Sequence, residues 1–344
     1  MKILIVMDPF IRVPPAHYGG IERVIADLAN GLARAGHQIT LWAAPGSKVD
    51  GVVESFGRES EWTPWSNVRN VATLARRFLV RRRDFDVVHN FGRLAYLAPI
   101  LSRDSPKIQT YMRTVNPANM SIAKRLGARR LQYTAVSAAI RETGAPGGGE
   151  WSVIHNCAVP DRFRFNSTVD ARTAPLAFLG RLDRCKGVHH AITVAERLKR
   201  PLVIAGNVSP LLHEQQYYER EIKPRIDGCL VRYVGPVNDA EKQALLRGAA
   251  AMLLPIEWEE PFPVVLPESM LCGTPLIAFR RGGVPEGIDH GRTGLLCDTV
   301  DEMTTLVARL PEIDRQVVRD EAERRFSDRT IVAEYESLYQ RLCA

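Results

Sequence analysis

Short apolar runs alternate along the chain with stretches whose apolar positions recur at three- and four-residue spacing. The first pattern predicts buried strands and the second amphipathic helices. Residues 2–7 are an apolar, β-branched run and predict a central strand. Ile21, Val24, Ile25, Leu28, Ala29 and Leu32 then fall on one helical face, Gly36 ends that helix, and residues 38–43 predict a second strand. The alternation continues with helices over 67–80, 93–101, 121–126 and 137–143, and strands over 86–89, 107–110, 131–136 and 151–154. Residues 145–149 (Ala-Pro-Gly-Gly-Gly) are the richest in breakers, and residues 160–175 read as a connection. Strands are predicted again at 176–179, 202–205, 230–234, 251–254 and 276–278, with helices over 188–198 and 239–247. The tail over 331–342 is helical, with Tyr335, Leu338, Tyr339 and Leu342 on one side. Two successive β/α halves predict an α/β protein of two parallel-sheet domains. Ligands are then expected beyond the carboxyl ends of the strands, in a cleft where the domains face each other.

Composition fits this picture and narrows it. The chain has 344 residues, long for one core, with 45% hydrophobic and 25% charged residues. No run of 18 apolar residues predicts a membrane span, and the opening MKILIVMDPF is too short an apolar run for a signal peptide. Cys157, Cys185, Cys229, Cys272, Cys297 and Cys343 are scattered without a CxxC pair, so neither structural disulfides nor a zinc site is expected, and a reducing cytoplasm fits. The net charge of +7 is uneven: residues 1–165 carry +10 and residues 166–344 carry −3. The excess gathers in Arg76, Arg77, Arg81, Arg82 and Arg83 and in Lys124, Arg125, Arg129 and Arg130. Such clusters attract an anionic membrane surface or a phosphorylated acceptor, or serve as a solvated helix face. No recognition motif accompanies the charge, so nucleic acid is not expected.

The richest chemistry lies at residues 257–275, EWEEPFPVVLPESMLCGTP. Glu260 and Glu268 flank a Pro-rich loop that opens onto a helix. A helix start aims N–H groups and positive dipole at one point, which suits an anion, and a carboxylate on each side suits hydroxyl groups. Hydroxyl, phosphate, hydroxyl is the layout of a sugar nucleotide. Arg181 and Lys186 follow the strand at 176–179, and two such cations can neutralise a diphosphate, although loop cations are also common surface residues. Gly19-Gly20 opens the first helix and permits close backbone approach, or merely makes a tight turn. It is not GxGxxG, which argues against an NAD-dependent oxidoreductase.

Taken together, these residues resemble a family 4 glycosyltransferase, the retaining group with the GT-B fold. The resemblance rests on Gly19-Gly20-Ile21-Glu22-Arg23, Leu179-Gly180-Arg181-Leu182 with Lys186-Gly187, the Glu260-x7-Glu268 pair, Cys272-Gly273-Thr274-Pro275, and Gly282-Gly283-Val284-Pro285-Glu286. It covers nearly the whole chain. It implies two Rossmann-like domains facing a cleft: residues 1–162 on the acceptor side and 163–327 for the nucleotide sugar, with a final helix over 328–344 crossing back to the first. It implies that Gly19 and Gly20 approach the donor phosphate and that Arg181 and Lys186 bind the diphosphate. Glu260 would hold donor-sugar hydroxyls and Glu268 the ribose. Phe262, Pro263 and the N–H groups of Val264 and Val265 would line the phosphate cradle, with the base near Tyr233 and Val234. Glu260, Arg181 and Lys186 would carry catalysis. The donor would be a UDP- or GDP-sugar such as UDP-glucose or GDP-mannose and the acceptor a hydroxyl compound, with no cofactor and no metal. Two departures stand out. The histidine that many relatives carry after the strand at 107–110 is missing, leaving Arg113 or His89 as substitutes, and Pro263 stands where relatives often have glycine. The first of these also keeps open a nucleotide-sugar-binding regulator or partner subunit without catalysis.

Overall fold

The computed structural model describes residues 1–15, 19–57, 63–81 and 84–344. Arg82 and Arg83 of the expected basic cluster lie outside the described residues. The chain divides into two compact units, Met1–Cys157 with Asp328–Ala344, and Ala158–Ser327. The boundary falls before Ala158 rather than after Arg162. Ala158 donates its N–H to the Phe326 carbonyl and bridges Ser327, which ties residues 158–162 to the second unit.

The first unit contains a parallel sheet in the order β3-β2-β1-β4-β5-β6-β7. Its strands are β1 (Lys2–Val6), β2 (Gln38–Ala43), β3 (Val52–Ser55), β4 (Val87–Asn90), β5 (Lys107–Tyr111), β6 (Leu131–Ala135) and β7 (Glu150–Val153). Its helices are α1 (Gly20–Arg34), α2 (Pro64–Val80), α3 (Ala118–Arg125) and α4 (Ala138–Gly144). Helix α2 starts three residues before its apolar periodicity, because Thr63 and Ser66 cap it reciprocally and Pro64 needs no hydrogen bond in the first turn. The helix expected over 93–101 is a 3-10 segment, Leu94–Ile100, with Pro99 inside it. The last helix of the chain, Asp328–Cys343, also belongs to this unit and packs on α1. It buries Ile331, Val332, Tyr335, Leu338 and Tyr339, each worth about 1.5–3 kcal/mol if fully removed from water. Arg34 donates to Asp328 at 2.5 Å, and His37 meets Glu336 at 2.8 Å.

The second unit contains a parallel sheet in the order β10-β9-β8-β11-β12-β13. These strands are β8 (Leu176–Leu179), β9 (Leu202–Ala205), β10 (Val231–Tyr233), β11 (Ala251–Leu254), β12 (Leu276–Phe279) and β13 (Gly294–Cys297). Its helices are α5 (Val188–Leu198), α6 (Leu212–Tyr217), α7 (Asp239–Gly248), α8 (Val265–Leu271), α9 (Val284–Gly287), α10 (Val300–Leu306) and α11 (Arg315–Phe326); the Asp328–Cys343 helix of the first unit is α12. The chain lays β9 and β10 on one side of β8, then returns to lay β11, β12 and β13 on the other. The order therefore reverses between β8 and β11, the place where a doubly wound sheet is expected to hold its ligand. Among the described residues, no helix is long and apolar enough to cross a membrane.

Candidate functional site

Both loops at that reversal carry the charged residues singled out in the sequence. After β8 the chain runs through Gly180 and Arg181 to a 3-10 turn, Arg184–Lys186, and then into α5. Gly187 joins turn to helix at φ +74, and a Cβ there would lie 1.9 Å from the Pro255 carbonyl oxygen. Only glycine lets the start of α5 press against the chain leaving β11. The Glu257 N–H donates to the Cys185 carbonyl at 2.9 Å and holds the two loops together.

This packing brings Lys186 onto Glu260. The Lys186 Nζ donates to Glu260 Oε2 at 2.5 Å and lies 5.2 Å from the centre of the Trp258 ring. Glu260 is buried, 8% exposed. Its backbone is fixed from the β12 side. The Gly283 N–H donates to the Glu260 carbonyl at 2.7 Å, and the Gly282 N–H donates to the Glu259 carboxylate at 2.5 Å. Gly282 has φ +55, and a Cβ on it would stand 2.2 Å from the Glu260 carbonyl oxygen. The Gly282-Gly283 pair is thus the backbone clamp that presents Glu260.

Arg181 pairs with Asp183 at 2.6 Å. Burial pushes the Asp183 carboxyl up, and the Arg181 charge pulls it back. Glu268, on α8, is 4% exposed and accepts from Lys242 at 2.5 Å. Lys242 is presented by α7, whose start is fixed by a capping box: Asn238 accepts from the Ala240 and Glu241 N–H groups, and Glu241 returns a bond to the Asn238 N–H. Helix geometry leaves the N–H groups of Val264 and Val265 without intrahelical acceptors, while that of Leu266 goes to the Pro263 carbonyl at 3.0 Å. Pro267, at the third helical position, breaks no helical bond. The half-buried Tyr233 ends β10 and donates its hydroxyl to the Gly206 carbonyl at 2.8 Å, and Val234 beside it is exposed.

Several expectations change. Phe262 is buried against Phe326, ring centres 5.4 Å apart, so its side chain belongs to the core rather than to a ligand surface. His89 is fully buried, its Nδ1 2.7 Å from the Tyr339 hydroxyl and its Nε2 2.6 Å from Thr110. Burial pushes its pKa down to about 3, so it is a neutral strut of the first unit with no open face. Arg113 is exposed and close enough to Glu22 to act on it; burial pushes the Glu22 carboxyl up, and Arg113 opposes this. Gly19 and Gly20 open α1 in that same unit. The sequence contains one Asp-x-Asp, Asp84-Phe85-Asp86, in which Asp84 pairs with Arg81 and Asp86 accepts the Lys2 N–H at the entry end of β1. Both carboxylates are taken, at the end of the sheet opposite to that where ligands bind. Asp183, Lys242 and Trp258 are site residues that sequence reasoning passed over. Asp183 two residues after Arg181 was the readable sign; the other two depend on pairing at a distance.

Comparison with known proteins agrees with this architecture. The model of the family described as "Glycosyltransferase Family 4" matches residues 18–162, and that described as "Glycosyl transferases group 1" matches residues 161–328. A glycogen synthase of Mycobacterium tuberculosis is 35% identical over 190 residues, covering 53% of this chain and 43% of that protein. The match thus spans less than half the length of that curated relative. AviGT4, a glycosyltransferase involved in avilamycin A biosynthesis, superimposes with TM-score 0.72 at 27% identity, covering 100% of this chain and 98% of its own. Anabaena HepE, solved in complex with UDP and glucose, superimposes with TM-score 0.75 at 20% identity, covering 99% of each chain. The two family models abut near the boundary between the structural units, and the two doubly wound sheets are the GT-B fold. By motif, by fold and by both family models, the chain belongs to the group 1, family 4 glycosyltransferases.

Proposed function

We propose that the second unit binds a nucleoside-diphosphate sugar and that the protein transfers the sugar to a hydroxyl acceptor with retention of configuration. The observation that carries the reading is the placement of Arg181, Lys186, Glu260 and Glu268 on the segments that leave β8 and β11 at the reversal, with Lys186 paired to Glu260. HepE, a structural neighbour of the same fold, was solved with UDP and glucose. Arg181 gives paired donors to the diphosphate, and Lys186 a point charge. The N–H groups of Val264 and Val265 complete the cradle. Glu260 accepts from donor-sugar hydroxyls, Glu268 from the ribose, and the base lies by Tyr233 and Val234. The donor class is a UDP- or GDP-sugar such as UDP-glucose or GDP-mannose.

Breaking the sugar–phosphate bond develops negative charge on the leaving diphosphate and positive charge on the ring. Arg181, Lys186 and the backbone amides stabilise the first, fixed before the reaction and so without reorganisation. This charge set does the work that a divalent ion would otherwise do, so transfer proceeds without a metal. The acceptor attacks the face from which the diphosphate departs, and a phosphate oxygen takes its proton. Turnover is tested by following nucleoside diphosphate release and the anomeric configuration of the product across a panel of donors. A panel in which donors bind but none is turned over supports the alternative, a nucleotide-sugar-binding regulator. A panel in which no nucleotide raises the melting temperature overturns the reading, because a ligand that binds only the folded state must raise it.

We also propose that the first unit meets an anionic membrane or acceptor surface. Trp65 and Val80 of α2 are 83% and 80% exposed, with Arg69 and Arg76 exposed on the same helix, and Ile122, Lys124, Arg125 and Leu126 are exposed at α3. Arg77 and Arg81 contribute less, since both pair with Glu54. Vesicle sedimentation that is unchanged by Trp65→Ser with Arg76→Ser would refute it.

A further inference from the structure

On the other side of the loop that presents Glu260, three side chains converge that the transfer reaction does not use. His189 and His190 stand in the first turn of α5, and Glu257 faces them from the chain leaving β11. The His190 Nε2 is 3.0 Å and the His189 Nε2 3.8 Å from the same carboxylate oxygen, Glu257 Oε1. One ligand atom from each of the three residues lies within 4.8 Å of the others. The imidazoles are partly buried, and the carboxylate is the more open. Neighbouring helical residues normally diverge, yet these rings stand with centres only 3.9 Å apart. The cause is a hydrogen bond on the far side of His189: its Nδ1 lies 2.7 Å from the Tyr217 hydroxyl, which also accepts the His189 backbone N–H at 3.3 Å. Tyr217 thereby fixes the ring and turns Nε2 toward Glu257.

We propose that His189, His190 and Glu257 form a binding site for a divalent transition-metal ion, with Tyr217 as the positioning residue behind His189. Two imidazoles and one carboxylate are a donor set for zinc, which binds nitrogen at about 2.0–2.1 Å and carboxylate oxygen at about 2.0–2.2 Å. Tetrahedral ligands at those bond lengths stand about 3.4 Å apart. Two of the present separations, 3.0 and 3.8 Å, bracket that value, and the third is within 4.8 Å, a gap of the size that side-chain rotation spans. The fourth position belongs to water. The ion joins α5 to the β11–α8 loop, across the same junction that Gly187 and the Glu257–Cys185 bond already hold. Its role is to brace the loop carrying Trp258 and Glu260, not to enter the transfer chemistry. The positive end of α5, Arg184 over the Tyr217 ring at 4.6 Å, and Arg225 bonded to the His189 carbonyl at 3.2 Å all oppose a cation and weaken its binding.

The test is calorimetric titration of the untagged full chain with zinc alone, with cobalt as a spectroscopic probe. The expected result is one equivalent of zinc, a cobalt spectrum of tetrahedral type without thiolate charge transfer, and a melting temperature that zinc raises. His190→Ala and Glu257→Gln each weaken binding at least about tenfold, and Tyr217→Phe weakens it by about 10–100-fold through loss of the Nδ1 partner. Glu257 is the most open of the three, so Glu257→Gln should melt with the parent when metal is absent and lose only the zinc-dependent rise. Binding that survives both His190→Ala and Glu257→Gln overturns the proposal. So does a thiolate band that puts the metal on cysteine, or no heat of binding at a millimolar zinc concentration.

Discussion

Lys186→Met separates two roles that one ammonium group holds. In the folded protein Lys186 neutralises Glu260, and in the proposed complex it faces the diphosphate. Breaking a fully buried pair by removing one partner costs about 3–5 kcal/mol, because a charge is left without compensation. The Lys186 and Glu260 side chains are 16% and 11% exposed, so water recovers part of that and about 2–3 kcal/mol is expected. Unit two spans about 170 residues, for which 1 kcal/mol moves the melting temperature by about 2–4 °C, giving a fall of roughly 4–12 °C. Adding Glu260→Gln removes the stranded charge, and the double variant should melt within about 3 °C of the parent. Nucleoside diphosphate affinity should not recover. A charge-assisted contact to phosphate is worth about 1.5–3 kcal/mol, so both variants should bind UDP or GDP about 10–100-fold more weakly by calorimetry. If the double variant regains nucleotide affinity along with stability, Lys186 is a structural partner of Glu260 and no phosphate ligand.

Gly282→Ala puts a Cβ against the Glu260 backbone and should cost about 1–3 kcal/mol in melting experiments together with at least about tenfold in donor affinity; Gly291→Ala, at φ +85 with open space around it, serves as control and should lose stability only. Equal donor binding by the two variants would remove the clamp from the argument. Glu268→Gln should weaken UDP about tenfold while leaving pyrophosphate binding intact, since pyrophosphate has no ribose, whereas Lys186→Met should weaken both; a parallel loss in Glu268→Gln reassigns that residue to the phosphates. His89 supplies a pH dependence: its folded pKa, about 3, lies below the unfolded value of about 6.5, so the unfolded chain binds the extra proton between them and stability rises with pH across that window. Acidification from pH 6.5 to 4.5 should therefore cost about 2–3 kcal/mol through this residue. His89→Gln should flatten that part of the denaturation profile, and an unchanged slope would place the acid sensitivity elsewhere.

The strands whose bounds were read most closely from sequence are unbroken apolar runs buried on both faces. β8, β9 and β11 are unbroken apolar runs with every residue inside or nearly so, and their expected bounds agree with the observed ones. Of the four edge strands, β7 and β10 were read and β3 and β13 were not. β3 reads Val-Val-Glu-Ser with its ends exposed, and β13 begins at a glycine, so neither run is distinctive. Helix α11 was hidden for a different reason. Its buried face includes Arg315 and Glu321 beside Val318, Ala322 and Phe326, so polarity masks the helical period. Arg315 is held there by the carbonyls of Asn166 and Ala249 and by the Thr274 hydroxyl, partners found only after folding.

The same distinction explains the site. Arg181, Lys186, Glu260 and Glu268 could be singled out because each sits at a local signal, a strand end or a helix start. What they do to one another could not, because the partners are remote in sequence: Lys186 and Glu260 are 74 residues apart, and Lys242 and Glu268 are 26. The folded site is therefore not the bare cationic pocket suggested by two loop cations. Arg181, Lys186 and Lys242 each meet a carboxylate, from Asp183, Glu260 and Glu268. Balanced pairs cost the apo protein less than clustered like charges would. On the proposed reading, donor binding is then an exchange of partners. Glu260 passes from Lys186 to the sugar hydroxyls, and Glu268 turns from Lys242 toward the ribose. The freed Lys186 ammonium can then face the phosphates, so its positive charge appears when the anion that needs it arrives.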